Sequence, residues 1–159
     1  MRQLILILSI SLLTNLSNGQ CNCQKIKRDD GAVITQCPAL PVSSDSKTEI
    51  GLSIASNGTS TFLCLTIRFV QGAIQQVQSK ITLRLDDNNL FSVDLMKSEP
   101  SYIGNSPVTN AIFKIDATNI LLLKKSSIKT ISFKLPDNML YTYIAKMNSD
   151  IVIKQLNCL

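Results

Sequence analysis

The stretch ITLRLDDNNLFSVDL, residues 81–95, returns fifty residues later as ISFKLPDNMLYTYIA, residues 131–145, and in fainter form as IGLSIASNGTSTFLC, residues 50–64. In each copy the apolar residues fall at alternate positions: Ile50, Leu52 and Ile54; Ile81, Leu83 and Leu85; Ile131, Phe133 and Leu135. Period two is the signature of a strand with one buried face and one wet face. Each run then meets a turn cluster, Asn57-Gly58, Asp86-Asp87-Asn88-Asn89 or Pro136-Asp137-Asn138. Asn-Gly supplies the positive φ angles of a tight hairpin, and Asp and Asn favour turns through local side-chain bonds. The return runs alternate as well, through Leu63, Leu65, Ile67 and Phe69, through Phe91, Val93 and Leu95, and through Tyr141, Tyr143 and Ala145.

Repeated hairpins predict an all-β, mainly antiparallel, β-sandwich-like domain, with one or two short helices near the C-terminal half. AIFKID, residues 111–116, reads as a strand. ATNILLLKK reads as a helix capped by Asp116 or Thr118, with Ile120 and Leu123 facing inward. NSDIVIKQLNCL offers Ser149 or Asp150 as a second cap, with Ile153 and Leu156 on one helical face. A strand ending at Cys158 is the alternative there, because Ile-Val-Ile favours β structure. SYIGNSPVTN, residues 101–110, reads as a loop marked by Gly104, Asn105 and Pro107.

The N-terminus stands apart from this pattern. Arg2, the apolar run LILILSISLL and the small residues Ser17 and Gly19 describe a secretory leader cleaved after Gly19, leaving residues 20–159 as one domain. The apolar run is too short for a membrane span, which needs about twenty residues. A lipoprotein leader with Cys21 as the lipidated residue is disfavoured, because Gln20 stands where such leaders place a small residue. The expected location is therefore secreted or periplasmic.

Loss of the leader removes one Arg from sixteen Lys plus Arg and none of the eleven Asp plus Glu, so the remaining net charge is +4. The densest basic run, around Lys124, Lys125 and Lys129, lacks the aromatic interleaving of a nucleic-acid surface, so no nucleic-acid partner is expected. The expected partner is a protein or a glycan. The chain has no histidine, which excludes Ser-His-Asp and Cys-His nucleophiles and His-containing zinc sites.

All five cysteines lie beyond the leader. CQKIKRDDGAVITQC reads as a hairpin with the three-residue loop Asp29-Asp30-Gly31, Gly31 taking the left-handed position. Arg28 then faces Ala32, paired residue numbers sum to 60, and Cys23 faces Cys37 at a non-hydrogen-bonded site within disulfide reach. Cys21 is matched with Cys158, tying the ends of the domain, and Cys64 remains as a partly buried free thiol. The competing reading makes Cys21, Cys23 and Cys37 a redox or soft-metal site, with Lys25, Lys27 and Arg28 lowering the thiol pKa.

No catalytic, cofactor or metal residue is assigned. Asp86 to Asn89 splay in different directions, whereas a calcium loop needs six or more converging oxygens. Of the eleven acids, Asp29, Asp30, Asp86, Asp87 and Asp137 are claimed by turns and Asp116 and Asp150 by caps. Asp94 and Glu99 are close in sequence without supporting context, so a carboxylate-dependent hydrolase lacks a site, and no enzyme activity is expected. The outward positions Thr82, Arg84, Ser92, Asp94, Ser132, Lys134 and Thr142 form a polar face of the kind any antiparallel sheet shows to water. Tyr102 and Asn105 in the 101–110 segment, with Arg84 and Lys134 on the polar face, are the contact candidates. Asn57-Gly58-Thr59 also matches an N-glycosylation acceptor. The function these features point to is a non-catalytic binding or structural module.

Overall fold

Alternation and turn chemistry produce strands β1 (Gln24–Lys27), β2 (Val33–Gln36), β3 (Leu40–Ser44), β4 (Thr48–Ser56), β5 (Thr61–Phe69), β6 (Ile81–Leu85), β7 (Leu90–Val93), β8 (Leu95–Ile103) and β9 (Ser106–Ile115), then helix α1 (Ala117–Lys125), strands β10 (Ile128–Lys134) and β11 (Leu140–Ile144), and helix α2 (Ile151–Leu156). The structure is a computed structural model and describes residues 21–27 and 29–159. The expected leader and the facing of Arg28 to Ala32 lie outside the described residues.

The repeated phrases are hairpins β4–β5, β6–β7 and β10–β11. Two of their loops share one construction with the loop between β1 and β2. In Asp29-Asp30-Gly31, Asp86-Asp87-Asn88 and Pro136-Asp137-Asn138 the third residue has positive φ, at 83°, 67° and 60°. The middle Asp accepts a hydrogen bond from the backbone N–H two residues on, that of Ala32, Asn89 or Met139, each at 3.0 Å. The β4–β5 turn differs from expectation. Its positive φ belongs to Gly58 alone, at 87°, and the Asn57 N–H bonds the Ser60 carbonyl at 3.2 Å. The loop is Gly58-Thr59, and Asn57 extends the ladder rather than forming the turn.

The strands make two packed sheets. The larger runs β1-β2-β4-β5-β9-β8, with β3 also pairing to β4; the smaller runs β11-β10-β6-β7. All pairings are antiparallel. Ile50, Leu52, Ile54, Leu63, Leu65 and Ile67 of the larger sheet meet Ile81, Leu83, Leu85, Ile131 and Phe133 of the smaller in one continuous core. These are the alternating residues of the three phrases, and all are at most 1 % exposed. The Phe133 and Tyr143 rings stack with centroids 5.6 Å apart.

Both helices are short. Asp116 caps α1, its Oδ1 accepting from the Asn119 N–H at 2.7 Å, and Leu123 is buried with Ile120 packed beside it. Helix α2 buries Ile151, Val152, Gln155 and Leu156, while Ile153 is only half-buried. The inward stripe therefore lies one position away from the expected Ile153–Leu156 face and includes a polar residue. Asp150 stands at the N-cap of α2 without a side-chain cap bond, its carboxylate instead meeting Lys154 at 2.8 Å.

Residues 101–110 are not a loop. They are the end of hairpin β8–β9, with Tyr102 paired to Pro107, Ile103 paired to Ser106, and Gly104 at φ 57° in the turn. Pro100 is tolerated within β8 because β8 is an edge strand.

Disulfides join Cys23 to Cys37 and Cys21 to Cys158, and Cys64 is the free cysteine. The ladder pairs Gln24 with Gln36, so numbers sum to 60 and bring the first two sulfurs together. No helix among the described residues is long and apolar enough to cross a membrane.

Candidate functional site

The residues that alternate with the core form the outer face of the larger sheet, and here that face is a trough. Its floor is set by register: Ser53 pairs with Cys64 and Cys64 with Ile112, while Gly51 pairs with Thr66 and Thr66 with Asn110. One wall is the β1–β2 hairpin, contributing Gln24, Ile26 and Gln36, with the connecting residues Cys37, Pro38 and Ala39. The opposite wall is the end of the β8–β9 hairpin, with Tyr102 and Ile103. Between them lies a cleft of about 500 Å³. A smaller hollow of about 200 Å³ shares Ala39, Thr66 and Ile103 with it and ends at the Arg68–Glu49 ion pair.

The lining of the main cleft carries no formal charge. Four carboxamides face it, those of Asn22, Gln24, Gln36 and Asn110, together with Ser53, Thr66 and Ser101 hydroxyls. On the floor the Thr66 hydroxyl donates to Asn110 Oδ1 at 2.9 Å, which fixes the Asn110 amide and leaves its nitrogen to donate elsewhere. Tyr102 is 71 % exposed, so its ring forms an open flank rather than a core anchor.

Cys64 sits on this floor with its thiol held in the protonated form. Burial pushes its thiol up to about 11, partly opposed by a bond with Ser53. The thiolate fraction near neutrality is thus about 100-fold below that of a thiol at the ordinary value. Maleimide labelling of the native protein should be slower than labelling of the unfolded chain by at least that factor. Equal rates would show the thiol to be open.

The same burial links stability to alkaline pH. The folded state holds the Cys64 proton more tightly than the unfolded state, so this contribution is complete below pH 9 and is lost as pH rises from 9 towards 11. The loss amounts to about 2–3 kcal/mol. Urea titrations at pH 8 and pH 11 measure it, and Cys64→Ala should lose less over that interval than the native chain does.

Comparison with protein-family models, with curated proteins and with solved structures returns no match for this chain. The case for a site therefore rests on its own residues.

The contact candidates divide between two surfaces. Tyr102 belongs to the trough, and Asn105 lies in the turn just beyond it. Arg84 and Lys134 lie on the outer face of the smaller sheet, on the other side of the sandwich. There a single row of hydroxyls crosses all four strands, with Thr142 paired to Ser132, Ser132 to Thr82 and Thr82 to Ser92. Thr82 and Ser92 bond at 2.7 Å, Ser132 and Thr142 at 2.8 Å, and Lys134 Nζ donates to Asn138 Oδ1 at 3.1 Å. The hydroxyl row and Lys134 on that face are thus satisfied by neighbouring side chains.

Cys21, Cys23 and Cys37 are all in disulfides, which leaves the CNC segment without a free thiolate to hold a soft metal in this state. Among the described residues no group of three or more His, Cys, Asp or Glu side chains is placed to hold a metal ion. Glu99 pairs with Lys97 at 2.5 Å rather than with Asp94. The amides of Gln24, Gln36 and Asn110 were the part of the site that sequence patterning did not single out. Their shared face is made by pairing β5 to β9 and β2 to β4, contacts between distant segments.

Proposed function

We propose that this chain is an exported, non-catalytic binding module whose trough receives an uncharged, hydroxyl-rich ligand, a neutral oligosaccharide. The observation that carries this reading is the composition of the cleft: four amides, three hydroxyls and one open tyrosine ring set among apolar residues such as Ile26, Ile103 and Ile112, without a charged group. Carboxamides both donate and accept, which suits sugar hydroxyls that do the same, and an exposed ring offers an apolar face to the C–H side of a pyranose. A cleft of about 500 Å³ falls within the range of small-molecule sites.

Export is supported by two disulfides, which persist in oxidising compartments, and by the basic, apolar and small-residue order of the first nineteen residues. Sequencing of the exported protein should begin at Gln20.

The binding test is a titration of isotopically labelled protein with neutral oligosaccharides, acidic oligosaccharides and a neutral extended peptide, followed through backbone amide shifts. Neutral oligosaccharides should move the resonances of Cys64, Thr66, Tyr102 and Asn110. Tyr102→Ala and Asn110→Leu should each weaken binding about tenfold, the loss of one stacking or hydrogen-bonding contact. Arg84→Ala should leave it unchanged. Shifts centred on Arg84 and Lys134, or a response to the acidic sugars or the peptide alone, would overturn the assignment.

A further inference from the structure

The β4–β5 turn presents one side chain in a state that the fold does not use. Asn57 Oδ1 accepts three hydrogen bonds, from Thr59 N–H at 3.2 Å, the Thr59 hydroxyl at 3.0 Å and Ser60 N–H at 2.8 Å. These bonds saturate the oxygen and fix the plane of the amide. The nitrogen Nδ2 bonds to nothing among the described residues. Asn57, Gly58 and Thr59 are all exposed, and nothing within 4 Å would meet a Cβ built on Gly58, so the turn stands clear of the rest of the fold.

We infer that Asn57 is the attachment site of an N-linked glycan. Asn57-Gly58-Thr59 has the acceptor pattern, with a residue other than proline in the middle and a hydroxyl two positions after the asparagine. Between residues 20 and 159 it is the single such triplet. Asn105-Ser106-Pro107 and Asn148-Ser149-Asp150 lack the hydroxyl at the third position, and Asn15-Leu16-Ser17 lies within the expected leader. The folded state accommodates the product without loss. A sugar on the exposed Asn57 Nδ2 displaces no hydrogen bond, and the three bonds to Oδ1 survive. Elsewhere an asparagine such as Asn119 spends its Nδ2 on a carboxylate, here that of Asp116 at 3.2 Å.

The reaction needs a glycosyl donor, a polyprenyl-diphosphate-linked oligosaccharide of the secretory pathway. The Nδ2 lone pair attacks the anomeric carbon, the bond from that carbon to the diphosphate oxygen breaks, and polyprenyl diphosphate leaves. One Nδ2 proton is released, and no redox change occurs. The inference depends on export but not on the ligand of the trough.

Expression of the full chain in a eukaryotic secretory host, with a parallel chain in which residues 20–159 follow that host's own leader, tests it. Intact-mass measurement of the secreted protein should show added hexose and N-acetylhexosamine on the peptide containing Asn57. A peptide N-glycosidase should remove the addition and convert Asn57 to aspartate. Asn57→Gln and Thr59→Ala should each abolish it while leaving secretion and both disulfides intact. Failure of the first chain alone to be secreted would remove the export on which the inference rests and overturn it for the chain with its own leader. Secreted protein from either chain with Asn57 unmodified, or sugar that survives Asn57→Gln, would overturn the inference.

Discussion

Serine in place of both Cys21 and Cys158 is expected to lower the midpoint of thermal unfolding by about 10–20 °C. The bond joins residues 137 positions apart, so it constrains nearly the whole described chain in the unfolded state. For a loop of that length the chain-entropy argument gives about 5 kcal/mol, against about 3 kcal/mol for the 14-residue separation of Cys23 and Cys37. The long tie also has a folded-state role, because Cys158 follows α2 directly and Cys21 leads into β1. Without it, α2 depends on its own contacts with β4 and α1. Thermal scans of the two double-serine variants separate the contributions. A larger loss from Cys23 and Cys37 would mean that local geometry at the β1–β2 hairpin outweighs chain entropy.

How far such features are legible in the sequence depends on how local their causes are. The Cys23–Cys37 pairing follows from one turn, since a left-handed Gly31 fixes the loop length and the loop fixes the register. The core strands are equally local, their alternation being visible within seven residues. Strand β8 lacks that signal because it is an edge strand with no fully buried residue, whereas at the start of β9 the burial falls on two adjacent residues, Val108 and Thr109, rather than on alternate ones. The β8 pattern is mostly half-buried or exposed, and Pro100 and Pro107 reinforce the impression of a loop. The trough is hidden for another reason. Its floor comes from β4, β5 and β9, and pairing β5 to β9 joins Thr66 to Asn110 across 44 residues. Short-range patterning carries no information about which polar faces will be brought side by side.

Gln155 is the extreme case of a residue whose role is invisible locally, and its removal is the second large expected effect. Strands β2 and β3 both lie along one edge of β4, but between them Cys37, Pro38 and Ala39 oppose only Ser53 and Ile54. The ladder breaks there: Cys37 N–H reaches the Ile54 carbonyl at 2.9 Å, while the Ile54 N–H finds no backbone acceptor in β2 or β3. The Gln155 carboxamide fills the gap from α2, its Oε1 accepting from Ile54 N at 2.7 Å and its Nε2 donating to the Pro38 carbonyl at 2.8 Å. One side chain, itself 1 % exposed, thus stands in for a missing peptide unit. Gln155→Leu keeps the bulk but orphans a fully buried N–H at Ile54, and a loss of about 2–4 kcal/mol in a urea titration is expected. Gln155→Glu discriminates a packing role from a hydrogen-bonding one. Its carboxylate can still accept from Ile54 but cannot donate to Pro38, and burial raises its pKa above that of the unfolded chain. The sign follows from linkage: relative to the native chain, the Glu variant should be least stable at neutral pH and should recover as the pH falls and the buried carboxyl takes up its proton. A Glu variant whose deficit stays constant from pH 7 to pH 4, or a Leu variant as stable as the native chain, would show that the amide only fills space.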